Sequence, residues 1–478
     1  MPRWQCPETI WHALVIAAAL LASYSYFPGP GGANQNSRFG LTRAIAERHT
    51  LYTEGYDGDS IDRAFWGGHF YSDKAPGLAL SAVPVWEACL VVLHAAHKNP
   101  SAQRSVLVGR YVVTLVCVAL PSAVAAAILF LIALKFGASV GGAGFAAVTL
   151  GLTTPFWCYA TLFWGHALSA ASLFFAFAAV VSLREFDSPW RDLSLGISVG
   201  LAAGWATVTE FTAAPPAAIL ASLALVYASP GGGRRLFRVA TGVAAGALPC
   251  ILVLMIYNTL AFGSPLKLGY AISAQQDWPL MKQGLMGVTY PKAYVLREII
   301  VGRYRGLLPL APLVGTAPFG LWLLWKQANA RGSALVATAI ALYYVLMNAS
   351  YASWDGGYSY GPRHLSPALP FLCLPLALLW TRSSPAIRSL LAVLAFYGAF
   401  ISLIAVSTNV MPPDTAKSPV QELLWPAFHA GNLSQNLGTF TGLRGLASLI
   451  PLFLVWGAAI AAWVWLRLSV VSGAPKPR

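Results

Sequence analysis

Long apolar stretches recur along this chain, and its polar residues gather in the gaps between them. Thirteen stretches cover 10–27, 76–97, 106–134, 138–153, 163–183, 193–209, 211–228, 238–262, 306–325, 334–350, 365–381, 389–406 and 446–467. A hydrocarbon slab of about 30 Å takes around 20 residues of helix to span. Backbone groups in lipid must pair within the chain, so each stretch is expected to be a helix. The first is long for a secretory leader and lacks a small-x-small cleavage site, which predicts a retained first helix. The pattern predicts an all-α polytopic membrane protein: one transmembrane domain over 1–478 with about 12–13 membrane helices.

Composition supports this reading. Of 478 residues, 57% are apolar and 10% charged, against roughly one-quarter charged in soluble domains. A net charge of +14 would suggest nucleic acid in a soluble protein. Here the positive-inside rule accounts for it, and no nucleic-acid partner is expected. Arg184 with Arg191, Arg234 with Arg235 and Arg238, Lys326 with Arg331, Arg382 with Arg388, and Arg467 with Lys476 and Arg478 mark five cytoplasmic segments. Near the N-terminus, Arg3 inside, full crossings at 76–97 and 106–134, and Lys135 inside cannot all hold. The stretch 76–97, with Pro76, Pro84, Glu87, His94 and His97, is expected to return to the outer side, leaving twelve crossings. Glu87 and Glu210, in or beside apolar stretches, are expected to face the protein interior. Cys6, Cys89, Cys117, Cys158, Cys250 and Cys373 show neither paired nor metal-ligand spacing and read as reduced core residues.

Acidic residues are scarce, and their placement is uneven. Glu47, Glu54, Asp57, Asp59, Asp62 and Asp73, six of the 17 acids, share the first outer loop, residues 28–75. After Pro28-Gly29-Pro30-Gly31-Gly32, any of Asn34, Asn36 or Ser37 can cap a short helix running to about His49. Leu41, Ala44, Ile45 and Arg48 would lie on one face, so this helix is expected flat in the membrane interface. Residues 154–162, 263–305, 351–364 and 407–445 form the other outer loops, a polar cap over the membrane. The segment from Tyr351 to His364 joins Trp354, Asp355, Tyr358, Tyr360 and Arg363, suited to a sugar face or a phosphate, or to an aromatic belt at the interface.

At Gly67-Gly68-His69-Phe70-Tyr71-Ser72-Asp73-Lys74-Ala75-Pro76-Gly77 the chain resembles the C-type, multi-pass glycosyltransferases that use polyprenyl-phosphate sugars, among them protein O-mannosyltransferases and lipid A aminoarabinose transferases. In that family the first outer loop carries the catalytic acid and ends in a Gly-x-x-Tyr-x-x-Lys-Pro-Pro-like motif whose lysine meets the donor phosphate. Gly68, Tyr71, Lys74 and Pro76 match, and Ala75 replaces the first proline. Asn34-Gln35-Asn36-Ser37-Arg38-Phe39 looks like the family's Asp-Glu-x-Arg-Tyr element, but asparagine has no basic carboxylate, so the usual catalytic Asp does not carry over to Asn34 or Asn36. Phe163-Trp164-Gly165-His166, Arg303-Tyr304-Arg305-Gly306-Leu307-Leu308 and Tyr360-Gly361-Pro362-Arg363-His364 also look like bacterial membrane glycosyltransferase stretches.

The resemblance implies an inverting transfer of a hexosyl or pentosyl group from a polyprenyl-phosphate donor to a lipid, glycan or protein acceptor. The site would lie on the outer, periplasmic face of the cytoplasmic membrane, among membrane lipids. Such chemistry needs a base for the acceptor proton and cations for the departing phosphate. Asp62 and Asp73 are the candidate bases: Asp73 adjoins Lys74, and Asp62 precedes Phe65-Trp66, an aromatic pair able to desolvate it. Lys74, Arg363 and Arg305 are the candidate phosphate ligands, with Arg110 a weaker one, and His69, Tyr71, His166, Trp354 and Tyr360 the candidate substrate contacts. No cofactor is required, although Asp57-Gly58-Asp59 offers spaced carboxylates for a divalent cation, or an ordinary turn. The alternatives are a secondary transporter or lipid flippase, which would place functional carboxylates mid-membrane, and a glycan polymerase or ligase.

Overall fold

The computed structural model describes residues 7–58, 60–184, 188–273 and 283–472. Each apolar stretch becomes helical. The chain runs α1 (Pro7–Ser25), α2 (Ala33–Arg48), a hairpin of β1 (Arg63–Trp66) and β2 (His69–Ser72), then α3 (Gly77–Ala95). It continues through α4 (Gln103–Lys135), α5 (Val140–Leu152), α6 (Gly165–Ser182), α7 (Pro189–Thr209), α8 (Ala214–Ala228) and α9 (Gly232–Phe262). The last elements are α10 (Ala293–Val301), α11 (Pro312–Trp325), α12 (Arg331–Ser350), α13 (Arg363–Arg382), α14 (Pro385–Thr408) and α15 (Ile450–Ser472). Among the described residues, nine helical segments are long and apolar enough to cross a membrane; one of them, Phe211–Phe262, contains both α8 and α9. Shorter apolar helices lie at α5 and α11. This is a multi-pass, all-α membrane protein.

The bundle has two unlike ends. At the short-loop end, Lys135 Nζ reaches Ser182 Oγ at 3.2 Å. Buried Asp192 pairs there with Arg235 at 3.1 Å and Arg238 at 3.4 Å. Arg388 donates to the carbonyls of Trp380 at 2.8 Å and Thr381 at 2.9 Å. The other end carries α2, the hairpin and the loops around 263–305, 351–364 and 407–445.

Backbone contact fixes α7 against α9. A Cβ on Gly196 or Gly200 would strike the Val239 or Val243 carbonyl, and one on Gly242 or Gly246 the Leu193 or Ile197 carbonyl. Two small-xxx-small faces thus meet with no side chain between them, which gives lipid-embedded helices close van der Waals contact. The seam sets the height of Thr209 and Glu210 at the far end of α7.

The capping expected in the first loop is corrected. No side chain caps α2: Gly32 stands at its N-cap, and Asn34, Asn36 and Ser37 lie inside the helix. It ends at His49, in the left-handed region at φ 53°, where Thr50 N–H bonds the Ala44 carbonyl at 3.2 Å. Helix α2 is covered almost throughout from Asn34 to Ala44, by protein rather than along a lipid-facing side. Polar Gln35, Arg38, Thr42 and Arg43 find partners in the loops above it and the helices beside it, so burial does not leave them stranded. The hairpin turns at Gly67 and Gly68, both at positive φ as a two-residue type I′ turn requires.

Helix α3 returns toward α2. Trp86 Nε1 donates to Glu47 at 2.9 Å, and Arg43 reaches Ser101, beyond the end of α3, at 3.5 Å. Glu87 is exposed, contrary to the expectation that it faces the interior, because that side of α3 has no neighbour. Cys89, Cys117, Cys158, Cys250 and Cys373 are free thiols, and Cys6 lies outside the described residues.

Candidate functional site

Arg38 organises the site. Fully buried on α2, it donates to Asn34 Oδ1 at 3.0 Å, to the Ala75 carbonyl at 3.0 Å and to Glu210 Oε1 at 2.7 Å. The last contact is a charge-assisted bond in a water-poor setting, among the stronger kinds. It joins α2, the end of the first loop and the end of α7. One residue earlier, Ser37 Oγ meets Ser72 Oγ at 2.8 Å, and Ser72 Oγ accepts from Lys74 N at 3.3 Å. Segment 72–75 is thereby pinned along α2.

This anchoring aims Lys74 at two carboxylates. Its ammonium lies 3.2 Å from Asp62 Oδ1 and 3.2 Å from Asp73 Oδ1, with the Tyr270 ring centroid at 5.1 Å. Ser60 positions Asp62: its Oγ accepts from Asp62 N at 3.1 Å and donates to the Ala33 carbonyl at 2.6 Å. Burial pulls the Lys74 pKa down, but Asp73, Tyr270 and Asp62 outweigh it, so the ammonium is held charged above its ordinary range, with Arg363 pulling the other way. Burial pushes the Asp73 carboxyl up to about 6, against Lys74 and with the help of Asp62. An acid of that strength can take a proton at neutral pH.

The later loops supply the opposite wall. His166, at the start of α6, lies 3.9 Å from Glu210 Oε1, and a Cβ on Gly165 would collide with that oxygen. His364 sits with its ring centroid 5.6 Å from that of His166, and its Nε2 is 3.2 Å from the Ser353 carbonyl. Arg363 lies over the Trp164 ring at 5.1 Å. Its charge is felt at Lys74, His166 and Tyr351, which puts both cations in one electrostatic neighbourhood. Several buried polar atoms have no hydrogen-bond partner among the described residues: Arg363 Nε, Trp164 Nε1 and Thr209 Oγ1 of this wall, and, on α12, Tyr344 Oη and both Oδ1 and Nδ2 of Asn348. Asn348 is entirely buried, and an amide left so costs about 1–3 kcal/mol. Unsatisfied groups of this kind mark a place where a polar ligand or water belongs.

Lys74, Asp62, Asp73, Arg363 and His166, all singled out in the sequence, thus come together. Arg305 is engaged elsewhere. It donates to the carbonyls of Asp355 at 2.8 Å, Gly357 at 2.5 Å and Ser359, and to Tyr304 Oη at 3.1 Å, so its donors staple the 351–364 loop rather than face a ligand. Tyr71 packs edge-on to Phe262 in a small core, and Trp354 packs with Tyr294 and Tyr304. Tyr360 is buried, its carbonyl accepting from Tyr159 Oη at 2.5 Å. His69 stacks on Tyr52 at 3.8 Å, 3.4 Å from Glu54, at the exposed tip of the hairpin. Phe65 and Trp66 are also exposed there, Trp66 covering Lys267 at 3.3 Å, so they do not desolvate Asp62. Asp57 accepts from Thr53 at 3.1 Å and pairs with Arg63 at 3.8 Å; Asp59 lies outside the described residues. Arg110 approaches Asn36 Oδ1 at 3.5 Å.

Sequence reasoning gave no site role to Arg38, Glu210, Tyr270, Tyr351, His364 or Asn348. Glu210 carried a signal, a carboxylate at the end of an apolar stretch, and Arg38 stood inside the family-like element. Asn348 carried none, being one polar residue in an otherwise apolar helix.

No protein-family model matches the sequence, and no curated protein matches it. Solved structures share its fold. ArnT from Cupriavidus metallidurans in the apo state, a lipid A aminoarabinose transferase, superposes with a TM-score of 0.55 and 16% identity over 95% of this chain and 74% of its own. ArnT bound to undecaprenyl phosphate gives 0.54 and 17% over 95% and 76%. The archaeal oligosaccharyltransferase AglB from Archaeoglobus fulgidus, in complex with an inhibitory peptide and a dolichol-phosphate, aligns more loosely, at 0.46 with 12% identity over 82% of this chain and 55% of its own. The chain has the C-type glycosyltransferase, or GT-C, fold.

Proposed function

We propose that this protein is a glycosyltransferase that moves a sugar from a polyprenyl-phosphate donor to an acceptor hydroxyl, with inversion, on the outer face of the cytoplasmic membrane. The observation that carries the reading is Lys74 held between Asp62 and Asp73 within electrostatic reach of Arg363. The fold shared with ArnT, one form of which holds undecaprenyl phosphate, supports the donor class. The gathering of Arg235, Arg238 and Arg388 at the opposite, short-loop end supports an outward-facing site.

Asp73 takes the acceptor proton as the acceptor oxygen attacks the anomeric carbon. The bond from that carbon to the phosphate oxygen breaks, and the phosphate leaves with the electron pair toward Lys74 and Arg363. An ammonium has three donors; two serve Asp62 and Asp73, and the third remains for the phosphate. The donors of Trp164 and Asn348, without a partner among the described residues, suit the sugar hydroxyls. Lys74 occupies the space between Asp62 and Asp73, so the positive charge there is the protein's own.

The test incubates the purified protein with radiolabelled polyprenyl-phosphate sugars and membrane extract, with and without EDTA, beside Lys74→Ala. Transfer unaffected by EDTA and reduced about a hundredfold or more in the variant is expected, the scale of losing one electrostatic stabiliser. Full activity in Lys74→Ala, or no transfer from any donor, refutes the proposal.

A further inference from the structure

Under the first loop lies a hydroxyl that the transfer chemistry leaves idle. Tyr257, five residues before the end of α9, is buried, and its Oη has no hydrogen-bond partner among the described residues. Around it stand Leu41 of α2, Ala64 of β1, Tyr71 of β2, Ala79 of α3, and Ala261 and Phe262 of α9 itself, a small apolar core. The Tyr257 ring meets Phe262 edge-on at 6.0 Å, and Phe262 meets Tyr71, two residues before Asp73, at 5.4 Å. Asn258 Nδ2 donates to the Pro265 carbonyl at 3.0 Å, which ties this end of α9 to the segment whose Gly269 lies against the Asp73 backbone.

A phenylalanine would fill such a core equally well, and a hydroxyl left unpaired there destabilises it. Two groups act on the Tyr257 hydroxyl electrostatically, Asp73 and Tyr71. Tyr71 turns its own hydroxyl to Tyr52, which leaves Asp73 as the partner. The carboxylate has the capacity. Its Oδ2 accepts from Lys74 at 3.4 Å, whereas Oδ1, though 3.2 Å from the same ammonium, receives no hydrogen bond among the described residues. A carboxylate oxygen takes two hydrogen bonds, so Oδ1 can accept from a hydroxyl without displacing Lys74. The other groups facing Asp73 are already engaged. Asp62 pairs with Lys74, Arg38 on α2 is spent on Asn34, Ala75 and Glu210, Tyr270 lies over Lys74, and Tyr351 packs edge-on to His364.

We propose that Tyr257 donates its hydroxyl hydrogen to Asp73 Oδ1, directly or through one buried water, and so acts as a positioning residue for the base that takes the acceptor proton. The positioning role rests on the transferase reading; the hydrogen bond does not. A donor aimed at a carboxylate favours its charged form, so losing the hydroxyl makes Asp73 hold its proton to higher pH.

The experiment uses the full chain in detergent and compares wild type with Tyr257→Phe, which removes only the hydroxyl. Infrared difference spectra follow the carboxylic C=O absorbance of protonated Asp73 against pH, with the band assigned by its loss in Asp73→Asn. The transfer rate is measured over the same pH range. In Tyr257→Phe the midpoint of the Asp73 band should move up by about half a pH unit or more. Transfer should then fall about threefold or more at pH 5 and recover toward the wild-type rate at pH 8. An unmoved or lowered infrared midpoint overturns the hydrogen bond, even if the variant is slower, because a purely structural role would lower the rate equally at every pH. A moved band with an unmoved transfer profile overturns the positioning role. A moved band in a protein whose wild type transfers from no donor refutes the transferase reading and leaves the hydrogen bond standing.

Discussion

Single residues in this site are set against their intrinsic preferences, and that makes their behaviour predictable. Asp73 is a buried acid beside a buried lysine. With its pKa near 6, it is protonated and useless as a base in mild acid and ionised above neutrality. The transfer rate should therefore rise tenfold per pH unit below about 6 and level off above it, and Asp73→Asn should abolish transfer without shifting the pH dependence of donor binding. A plateau extending below pH 5 would show that Asp73 is not the base. The same shift has a sign for stability. A carboxyl that holds its proton more tightly when folded favours the fold below its unfolded pKa, and that contribution is lost as pH rises through about 6. Asn348 makes the complementary case. Because neither side-chain atom has a partner among the described residues, Asn348→Leu should leave the protein as stable or raise its stability by about 1–3 kcal/mol, while transfer falls. A thermal melt beside the transfer assay separates the two effects; a large loss of stability would show that the amide is satisfied in the folded protein.

At the scale of elements, the apolar pattern revealed the long bundle helices because lipid imposes one rule on every stretch, whereas α10 stayed hidden in an outer loop. The packing between helices was not legible in the same way. Gly196, Gly200, Gly242 and Gly246 were four among 43 glycines, and only the folded chain shows that they face one another. Nor does one sequence reveal that Arg38 would cross from α2 to Glu210, since pairing between residues 172 positions apart leaves no local periodicity. Lys74 with Asp73 was readable because the two are adjacent, whereas the true tasks of Arg305 and Tyr71 depend on loops whose course the pattern leaves open. The glycine seam yields a prediction of its own. In Gly200→Leu the new side chain meets the Val243 carbonyl and Ala247 backbone, so α7 must move away from α9. Overpacking of this kind costs about 1–3 kcal/mol, and here it would also displace Thr209 and Glu210 from Arg38. Melting temperature and transfer should fall together, with Gly200→Ala intermediate; a stable, fully active leucine variant would mean that the seam does not position the site.

For the molecule as a whole, the number of crossings turns on α3. The helix has the length and apolarity to span a bilayer, yet its contacts place both of its ends near the loop-rich side. Gly77 starts against Thr209 at the end of α7, and Ser101, six residues beyond its last residue, lies against Arg43 of α2. Helix α4 then has 33 residues, about 50 Å at 1.5 Å per residue, well over the roughly 30 Å of hydrocarbon. Its far end at Lys135 joins Ser182 on the short-loop side, so its first turns must project beyond the hydrocarbon, where α3 packs along them. An exposed Glu87 is tolerable on such a hairpin and costly on a full crossing. Excluding α3 from the crossings sets residues 96–102 on the same face as Lys74. In a background without other cysteines, Ser101→Cys and Ser353→Cys should both react with a membrane-impermeant maleimide in intact spheroplasts, while Ser188→Cys should react only in inverted vesicles. Labelling of Ser101→Cys only in inverted vesicles would make α3 a full crossing and put the carboxylates of the first loop and the start of α4 on opposite faces, which the contacts between α2 and Ser101 forbid.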